Sequence, residues 1–504
     1  MPAIVTQSFR ENQVKSYLDF VTHVANNVYL FIGNPLPWEE ELDPPLPVDN
    51  DDAIFRVWDR IYGMKSIPTA GISRVIRRRD WQQGIFEYYN TTMPKSIDET
   101  NFYCMTSNFE VYKCLWNNNE ADSTVEPTGQ GNDNIVYTSD GYIWAYMYTI
   151  STGEAQTFLT PDYIPVKIDS IVEGKAPNNA GKVIAVGVKD GGDGYLSVNF
   201  GGNPTRHASA YAVVVGGSIT KIVITDPGEG YTTNPSIEIF GGGGTNATFP
   251  NATTQGGSIN VQEIPATNGG TGYNAPVVST VAGSGTGLVA HATARNGVIQ
   301  NIHVEDGGEG YIWLNLEITA GTGAGAKIDP VLTPAEGHGF NAEYELGGNA
   351  IMFSTNLNAS EMGDALPAGN SYRNIGIIVN PHAAGGGVYT GPFDTNMIKM
   401  YMGITPGNYY MNEVVTGATS GAKGRVVFWD SSTRHLYIIQ TLDEGYTEFQ
   451  TGEDVTGSEK TANIITLAGS AFDKYTGDIQ YIENRSPVTR TASQIEDVRV
   501  VVEF

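Results

Sequence analysis

Residues 140–150, DGYIWAYMYTI, decide the fold class of this chain. Behind the turn at Gly141, aromatic residues occupy every second position, and the positions between them are mostly apolar. The aromatic residues are Tyr142, Trp144, Tyr146 and Tyr148. This alternation predicts a β-strand, and its two apolar faces must both be covered. We therefore expect a central strand of a β body, with the aromatic row packed in a core rather than forming a cofactor site.

Composition limits the partners of the protein. A chain of 504 residues is long for a single hydrophobic core and suggests about three or four domains. The formal charge is −26, from 29 basic and 55 acidic residues, which argues against nucleic acid because a phosphate backbone requires clustered Lys and Arg. The basic cluster that stands out is Arg74, Arg77, Arg78 and Arg79. We interpret it as a solvated or ion-paired strand end, and a protein contact is the alternative.

Cysteine usage and hydropathy predict a soluble protein in a reducing compartment. Cys104 and Cys114 are too few for a disulfide framework, and residues 1–10 lack the features of a signal peptide. We expect both cysteines to be buried thiols rather than a redox pair. The sequons at Asn246 and Asn251 are then no evidence for glycosylation, which needs a secretory route. No apolar run approaches the roughly 20 residues that span a bilayer, so we expect no membrane insertion.

Hydrophobic periodicity outlines the elements on both sides of this strand. Apolar residues at three- and four-residue steps indicate helices, and alternation indicates strands. Prolines interrupt both patterns in an acidic stretch. The predicted elements are a helix over 14–21, a buried strand over 27–33, an ordered loop or surface wrap over 38–52, a helix behind Asp51 and Asp52, a strand over 72–76, a hairpin over 101–116 and a last strand over 498–504.

A glycine-rich region contains a repeat, and 32 of the 60 glycines lie between residues 181 and 339. Its four markers are GGDGY at 191–195, PGEGY at 227–231, GGTGY at 269–273 and GGEGY at 307–311. Apolar residues recur twelve, nine and seven positions before each tyrosine. Each unit is therefore a strand, a glycine turn and a tyrosine that can cover the turn, and such units bury their faces on one another. The glycines that we expect at positive φ are Gly194, Gly230, Gly272 and Gly310.

A second region has a shorter self-similarity. The motif EVVTG at 413–417 recurs as EDVTG at 453–457. Two strand patterns lie between the copies, at 425–429 and 435–440. This arrangement predicts a small barrel-like β module within residues 401–470.

Acidic residues in the repeat turns are the best candidates for a metal site. Three turns carry two acids three residues apart, namely Asp190 with Asp193, Asp226 with Glu229, and Asp306 with Glu309. Such carboxylates can share Ca²⁺ with turn carbonyls. The third turn has Asn268 and Thr271 instead, which favours turn capping by the first side chain over a metal.

The remaining motifs do not support catalysis. The glycine-rich stretch 417–424, GATSGAKG, has its second glycine and its lysine misplaced for a phosphate loop. The seven histidines form no HExxH or zinc pattern, and there is no GxSxG motif. We therefore predict no catalytic, cofactor-binding or metal-ligating residues, and no enzyme. A glycan hydrolase needs only two carboxylates placed by the fold and stays a minority alternative.

Several segments together resemble the wedge subunit of the T4-type contractile-tail phage baseplate, a family of dimeric, mostly β proteins. The segments occur in the order of that family: 29–38 YLFIGNPLPW, 77–81 RRRDW, 111–115 VYKCL, 125–129 VEPTG, 140–150 DGYIWAYMYTI, 373–381 RNIGIIVNP and 477–487 GDIQYIENRSP. The resemblance implies a structural role in a baseplate wedge, a homodimer, contacts with other wedge proteins, and a virion location after assembly in the host cytoplasm.

With this resemblance, the expected fold is mainly β with a few short helices. A multidomain, β-sandwich-like body carries a glycine-rich β-repeat insertion and a small β-barrel-like insertion. The expected segments are 1–175, 346–400 and 471–504 for the body, 176–345 for the repeat insertion and 401–470 for the small module. The two insertions have no counterpart in the smaller family members.

Two other classes of function stay open. A tail-associated carbohydrate- or receptor-binding protein would use exposed repeat tyrosines to stack on sugars. A glycan hydrolase would require paired carboxylates in a cleft. In a baseplate protein, the insertions could still contact a glycan or an outer-shell protein.

Overall fold

A computed structural model of the chain describes residues 4–88, 100–319, 321–358, 369, 371–491 and 494–504. The fold is mainly β with a few short helices, as predicted. The α-helices are α1 Gln7–Thr22, α2 Asp51–Arg60, α3 Thr152–Phe158, α4 Ser170–Lys175 and α5 Ala342–Glu345. Within these described residues, two 3-10 helices span Thr69–Gly71 and Ala176–Asn179.

The strands fall into three groups along the chain. The first group is β1 Val28–Gly33, β2 Ile61–Ser66, β3 Ile72–Arg77, β4 Tyr103–Met105, β5 Glu110–Trp116, β6 Ile135–Tyr137, β7 Ile143–Thr149 and β8 Tyr163–Pro165. The glycine-rich group is β9 Val183–Asp193, β10 Ser197–Phe200, β11 Ser209–Val215, β12 Ser218–Asp226, β13 Ile237–Phe240, β14 Thr245–Thr248, β15 Thr254–Gln255, β16 Ser258–Ile259, β17 Glu263–Pro265, β18 Asn268–Thr271, β19 Val277–Gly283, β20 Thr286–Arg295, β21 Val298–Glu309, β22 Leu314–Thr319 and β23 Ala324–Leu332.

The last group completes the chain. It is β24 Ala350–Asn358, β25 Ser371–Val379, β26 Phe393–Thr395, β27 Ile398–Met402, β28 Val414–Gly417, β29 Lys423–Asp430, β30 His435–Ile439, β31 Asp454–Thr456, β32 Thr461–Ala468, β33 Asp478–Thr489 and β34 Ile495–Glu503. The chain forms two compact units, residues 1–76, 153–165 and 348–504 in the first, and residues 77–152 and 166–347 in the second. These units cut across the five predicted segments, whose independence stays a prediction.

Two sheets form the body of the first unit, and distant parts of the sequence pair in both. The orders are β26-β2-β1-β25-β33 and β34-β24-β3-β8. Val14 and Val21 of α1 bury against strands of both sheets, and Val498 and Val500 of the last strand belong to the same core. The predicted first helix, first strand and last strand are therefore confirmed.

The predicted small barrel is confirmed as a closed sheet of strands β27-β30-β29-β28-β31-β32 in the first unit. We call residues 398–468 the barrel. Its two sequence copies cap one another, because Glu413 accepts a hydrogen bond from the Ser458 amide at 2.8 Å and Glu453 accepts one from the Ser420 amide at 2.9 Å. The duplicated glutamates therefore fasten the turn that follows the other copy.

The aromatic strand β7 lies inside a sheet of order β4-β5-β7-β6 in the second unit. Its aromatic row is buried, and Trp144 meets Phe86 edge-on with ring centroids 5.2 Å apart. Strands β4 and β5 form the predicted hairpin. Cys104 and Cys114 are free thiols in the same core, and burial raises the pKa of both well above its ordinary value. The predictions for this region are confirmed.

The four repeats close into a cycle, which we call the repeat ring, residues 181–333. Before the tyrosines, β9 of repeat 1 pairs with β21 of repeat 4, and β12 of repeat 2 pairs with β17 of repeat 3. After the tyrosines, β10 pairs with β13 and β19 pairs with β22, which joins repeat 1 to 2 and repeat 3 to 4. Each repeat thus buries its faces on two neighbours, as the repeat pattern predicts.

The end of the ring returns to its beginning. Strand β23 pairs along the whole of β9, so the last strand of the ring completes the first repeat. Beyond it, the Thr333 amide donates to the Lys182 carbonyl at 3.0 Å, and the Lys182 amide donates to Thr333 Oγ1 at 2.9 Å. The chain therefore enters and leaves the ring at adjacent points.

Each repeat tyrosine covers its own glycine turn, as predicted. The hydroxyl of Tyr231 accepts a hydrogen bond from the Ala208 amide at 2.8 Å, and its own amide donates to the Gly257 carbonyl at 2.8 Å. The other three tyrosines make the equivalent pair of bonds. The preceding glycines all have positive φ: Gly194 81°, Gly230 81°, Gly272 80° and Gly310 73°.

Candidate interaction surfaces

The acidic repeat turns use their first side chain as a cap. Asp190, Asp226 and Asp306 accept a hydrogen bond from the glycine amide two residues on, at 3.0, 2.9 and 2.9 Å. Asn268 makes the same bond at 3.0 Å in the third turn. The prediction of turn capping is confirmed. Across the described residues, no group of three or more His, Cys, Asp or Glu side chains is placed to hold a metal ion.

Two members of the arginine cluster are ion-paired at the end of β3, as interpreted from the sequence. Arg74 is buried, pairs with Glu11 and also donates to the Gly348 carbonyl at 3.0 Å. Arg78 pairs with Asp80 at 2.9 Å. These two arginines therefore have carboxylate partners within the protein.

A buried polar triad in the second unit was not predicted from the sequence. Lys113 Nζ lies 2.9 Å from Glu345 Oε2, and His338 Nδ1 lies 3.2 Å from the same oxygen. Burial, with Lys113 nearby, lowers the pKa of His338 to about 4. Burial alone would raise the pKa of Glu345, but Lys113 and His338 lower it to about 2. Since all three side chains are buried, the triad fastens the segment before β24 to the aromatic sheet.

The acidic, proline-rich stretch is the ordered surface wrap predicted from the sequence. Arg373 pairs with Glu41 at 2.7 Å, and Trp38 Nε1 donates to the Arg485 carbonyl at 2.9 Å. A small pocket of about 180 Å³ lies under this wrap and is lined in part by Leu46. Leu42 and Leu46 remain exposed to solvent, so the wrap presents apolar side chains outward.

An exposed pair of large apolar side chains occurs in only one of the four repeats. Ile312 and Trp313 follow the tyrosine of repeat 4 and are 72% and 56% exposed. The same two positions are Leu-Ser in repeat 1, Thr-Thr in repeat 2 and Asn-Ala in repeat 3. Ser284 Oγ accepts a hydrogen bond from the Ile312 amide at 2.7 Å, which holds this turn in place. Because the repeat fold accepts polar residues at these positions, the exposed Ile-Trp pair is suited to a protein contact.

The repeat tyrosines themselves are not available to a sugar. Their exposed fractions are 2% for Tyr195, 6% for Tyr231, 7% for Tyr273 and 2% for Tyr311. A carbohydrate-binding mode based on these rings is therefore contradicted by their burial. In the described part of the chain, no helix is long and apolar enough to cross a membrane.

Comparison with known proteins identifies a phage protein family that part of this chain matches. Residues 3–116 match the family Phage-Gp8, described as Bacteriophage T4, Gp8. The baseplate wedge protein gp8 of Enterobacteria phage T4 is 24% identical over an alignment of 204 residues, and the match covers 32% of this chain and 60% of that protein. Part of this chain is therefore similar to the T4-type baseplate wedge protein. The resemblance inferred from the sequence is thereby confirmed.

The chain spans less than two thirds of the length of the T4 protein. The family match, residues 3–116, includes α1, β1, α2 and β2, so it contains the strands that start the first sheet of the body. Strands β25 and β33, which carry two further resembling segments, continue the same sheet beside β1. Segments that are about 340 and 450 residues from β1 in the sequence therefore pair as neighbours within the body.

Proposed function

We propose that the protein is a structural component of a phage contractile-tail baseplate wedge, which joins neighbouring wedge proteins during tail assembly and host attachment. The match of residues 3–116 to the wedge-protein family carries this proposal. It falls on the elements that begin the body sheet, and the similarity to a baseplate wedge protein supports a structural role rather than an enzymatic one.

The same proposal includes a homodimer, other baseplate wedge proteins as partners, and a place in the tail baseplate after assembly in the host cytoplasm. A closed twofold arrangement is the commonest assembly of identical chains. The burial of the repeat tyrosines argues against the alternative in which these rings bind a carbohydrate receptor. The exposed Ile312 and Trp313 support a contact of the repeat ring with another virion protein.

The division of the chain into a body and two insertions is also part of the proposal. Residues 176–345 and 401–470 would be units inserted into one wedge body. Two observations support it, since Lys182 bonds to Thr333 at the ends of the repeat ring, and Lys399 pairs with Ala468 at the ends of the barrel. Insertions are tolerated where the entry and exit points lie close together.

The function is tested by locating the chain in assembled tails. A tag at the exposed barrel turn 431–433 should appear in cryo-electron micrographs of purified tails as density at the baseplate, in paired copies. Light scattering of the purified chain should give the mass of a dimer at micromolar concentration. Absence of the tag from tails would overturn the structural role, whereas a monomer with a baseplate location would overturn only the dimer.

A further inference from the structure

An open groove lies in the second unit, and its lining residues belong neither to the repeat turns nor to the exposed Ile-Trp pair. One wall is the loop and strand 128–137, and the other is the segment 178–184 where the chain enters the repeat ring. Its volume is about 490 Å³, which is within the range of about 300–1,000 Å³ typical of small-ligand sites. The groove can therefore hold a ligand larger than a single ion or water.

The two walls are fixed to each other before any ligand arrives. Asn178 Nδ2 donates to Asp133 Oδ1 at 2.9 Å, and Asn179 Nδ2 donates to the Asp133 carbonyl at 2.9 Å. Asn179 Oδ1 in turn accepts the His338 amide at 2.7 Å. A ligand would meet a site that is already formed, which reduces the entropy lost on binding.

The lining has the chemistry of hydroxyl recognition. The amides of Asn132 and Asn178 offer donors and acceptors together, and both residues are exposed. Asp133 and Lys182 are the formal charges among the described lining residues, so the groove is neutral in a chain whose net charge is −26. A neutral groove favours neither a metal ion nor a phosphate.

An aromatic ring completes the lining. Tyr137 ends β6 with 70% of its surface exposed, whereas the tyrosines of the neighbouring strand β7 are buried. Its ring offers a flat apolar face, and its hydroxyl can form hydrogen bonds at the rim. Sugar rings combine one face of C–H groups with hydroxyls around the edge, which matches a tyrosine face beside amides.

We propose that this groove binds a neutral saccharide through stacking on Tyr137 and hydrogen bonds to Asn132, Asp133 and Asn178. The site goes beyond the wedge role, because a structural contact between baseplate proteins does not require it. Both properties are compatible in one chain, since the groove lies outside residues 3–116, which match the wedge-protein family.

The test is a glycan array that contains neutral, sialylated and sulfated oligosaccharides, followed by calorimetric titration with the strongest neutral binder. The full-length chain should bind neutral glycans with little dependence on salt. Tyr137→Ala should weaken binding at least tenfold, Tyr137→Phe should retain most of it, and Asn132→Ala should weaken it as well. An unchanged melting temperature shows that these variants are folded.

Trp313→Ala is the matched control, because it removes another exposed aromatic ring of the same unit and should leave saccharide binding unchanged. Four outcomes would overturn the proposal. They are the absence of neutral glycan binding on the array, binding restricted to anionic glycans, full affinity in Tyr137→Ala, and loss of affinity in Trp313→Ala alone.

Discussion

The barrel and the repeat ring both contain duplicated motifs, but they close in different ways. The barrel closes through continuous strand pairing around a core in which Met400, Val415 and Val426 are fully buried. The ring closes through short ladders between neighbouring repeats and through tyrosine-covered turns, and it has two separate cores. Stability should therefore depend mainly on core packing in the barrel and on backbone geometry at glycines in the ring.

The two regions also differ in how they are attached within their own units. On the barrel, Val427, Tyr437 and Ile439 belong to the core of the body. In the ring, Ala185 and Val331 pack on Trp116 of the aromatic sheet in a small cluster. Removal of the barrel should therefore destabilise the first unit more than removal of the ring destabilises the second unit.

The largest expected effect comes from replacement of residues 401–470 by a short Gly-Ser linker. The remainder should stay folded, because the proposed body strands pair with each other, but its melting temperature should fall by several degrees. Part of the loss has a specific cause. Asp59 is buried, and it loses the Leu442 amide at 3.0 Å and the Tyr446 hydroxyl at 2.7 Å, while its bond to Tyr475 remains.

A second substitution checks this cause. Asp59→Asn should destabilise the full-length chain, but in the shortened chain it should restore part of the lost stability, because an underpaired buried charge is removed. Thermal unfolding of the four proteins forms a double-mutant cycle. A shortened chain without cooperative unfolding would contradict the insertion proposal.

The next effect separates backbone strain from crowding in the ring. Gly230 and Gly272 have nearly the same φ, 81° and 80°, but a Cβ at Gly230 would lie 2.7 Å from the Thr205 amide nitrogen, whereas at Gly272 the nearest atom is 3.7 Å away. Gly272→Ala should therefore cost about 1 kcal/mol from strain alone. Gly230→Ala should cost at least about 1 kcal/mol more, because backbone must move.

Urea unfolding of both variants measures this difference in the free energy of unfolding. A valine at either position should be worse than alanine, since β-branched residues tolerate positive φ poorly. Equal losses in the free energy of unfolding for the two alanine variants would show that the turn at Gly230 relaxes freely. The claim that the ring, unlike the barrel, depends on backbone geometry at its glycines would then be contradicted.

A smaller effect depends on pH. The pKa of His338 is lowered to about 4 in the folded chain, whereas the unfolded chain takes up this proton near pH 6.5. The contribution of neutral, buried His338 to the free energy of unfolding is therefore fully present above pH 6.5. It is lost as the pH falls toward 4, by up to about 3 kcal/mol. The lowered pKa of Glu345 acts in a lower window, from about 4.5 toward 2.

The free energy of unfolding, measured between pH 7 and 4.5, tests whether His338 causes this pH dependence. His338→Gln should be less stable at pH 7 but should lose most of the pH dependence in this window. His382→Gln is the control, because His382 is exposed, and it should keep the profile of the parent chain. An unchanged slope in His338→Gln would assign the dependence to other groups.

Local patterns predicted the elements well, and their limits have a physical reason. Strand β7, the hairpin, the turn caps and the four positive φ values each depend on residues close in sequence, which a pattern can show. The cyclic order of the repeats depends on pairing between strands up to about 150 residues apart, such as β9 with β23. No local pattern distinguishes this pairing from other ones.

The buried triad was missed for a related reason. Lys113 interrupts an apolar run between Tyr112 and Cys114, and a lysine at a strand position that is expected to be buried is a signal for a charged partner. Glu345 lies 232 residues away, so the partner could not be identified without the fold. The Tyr137 groove also depends on two segments that the fold brings together.

The smallest effect on stability and the clearest effect on function are expected at Trp313. Threonine occupies the equivalent position in repeat 2, so Ile312→Thr together with Trp313→Thr should change the free energy of unfolding by less than about 0.5 kcal/mol. If the exposed pair contacts a neighbouring virion protein, the same variant should enter assembled tails less efficiently in competition with the parent chain. Phe240→Thr, at an exposed position of the β10-β13 sheet, is the matched control and should enter tails normally. Equal entry of all three chains would show that this repeat differs from the others without serving the baseplate, whereas a large loss of stability would show that the pair supports the ring itself.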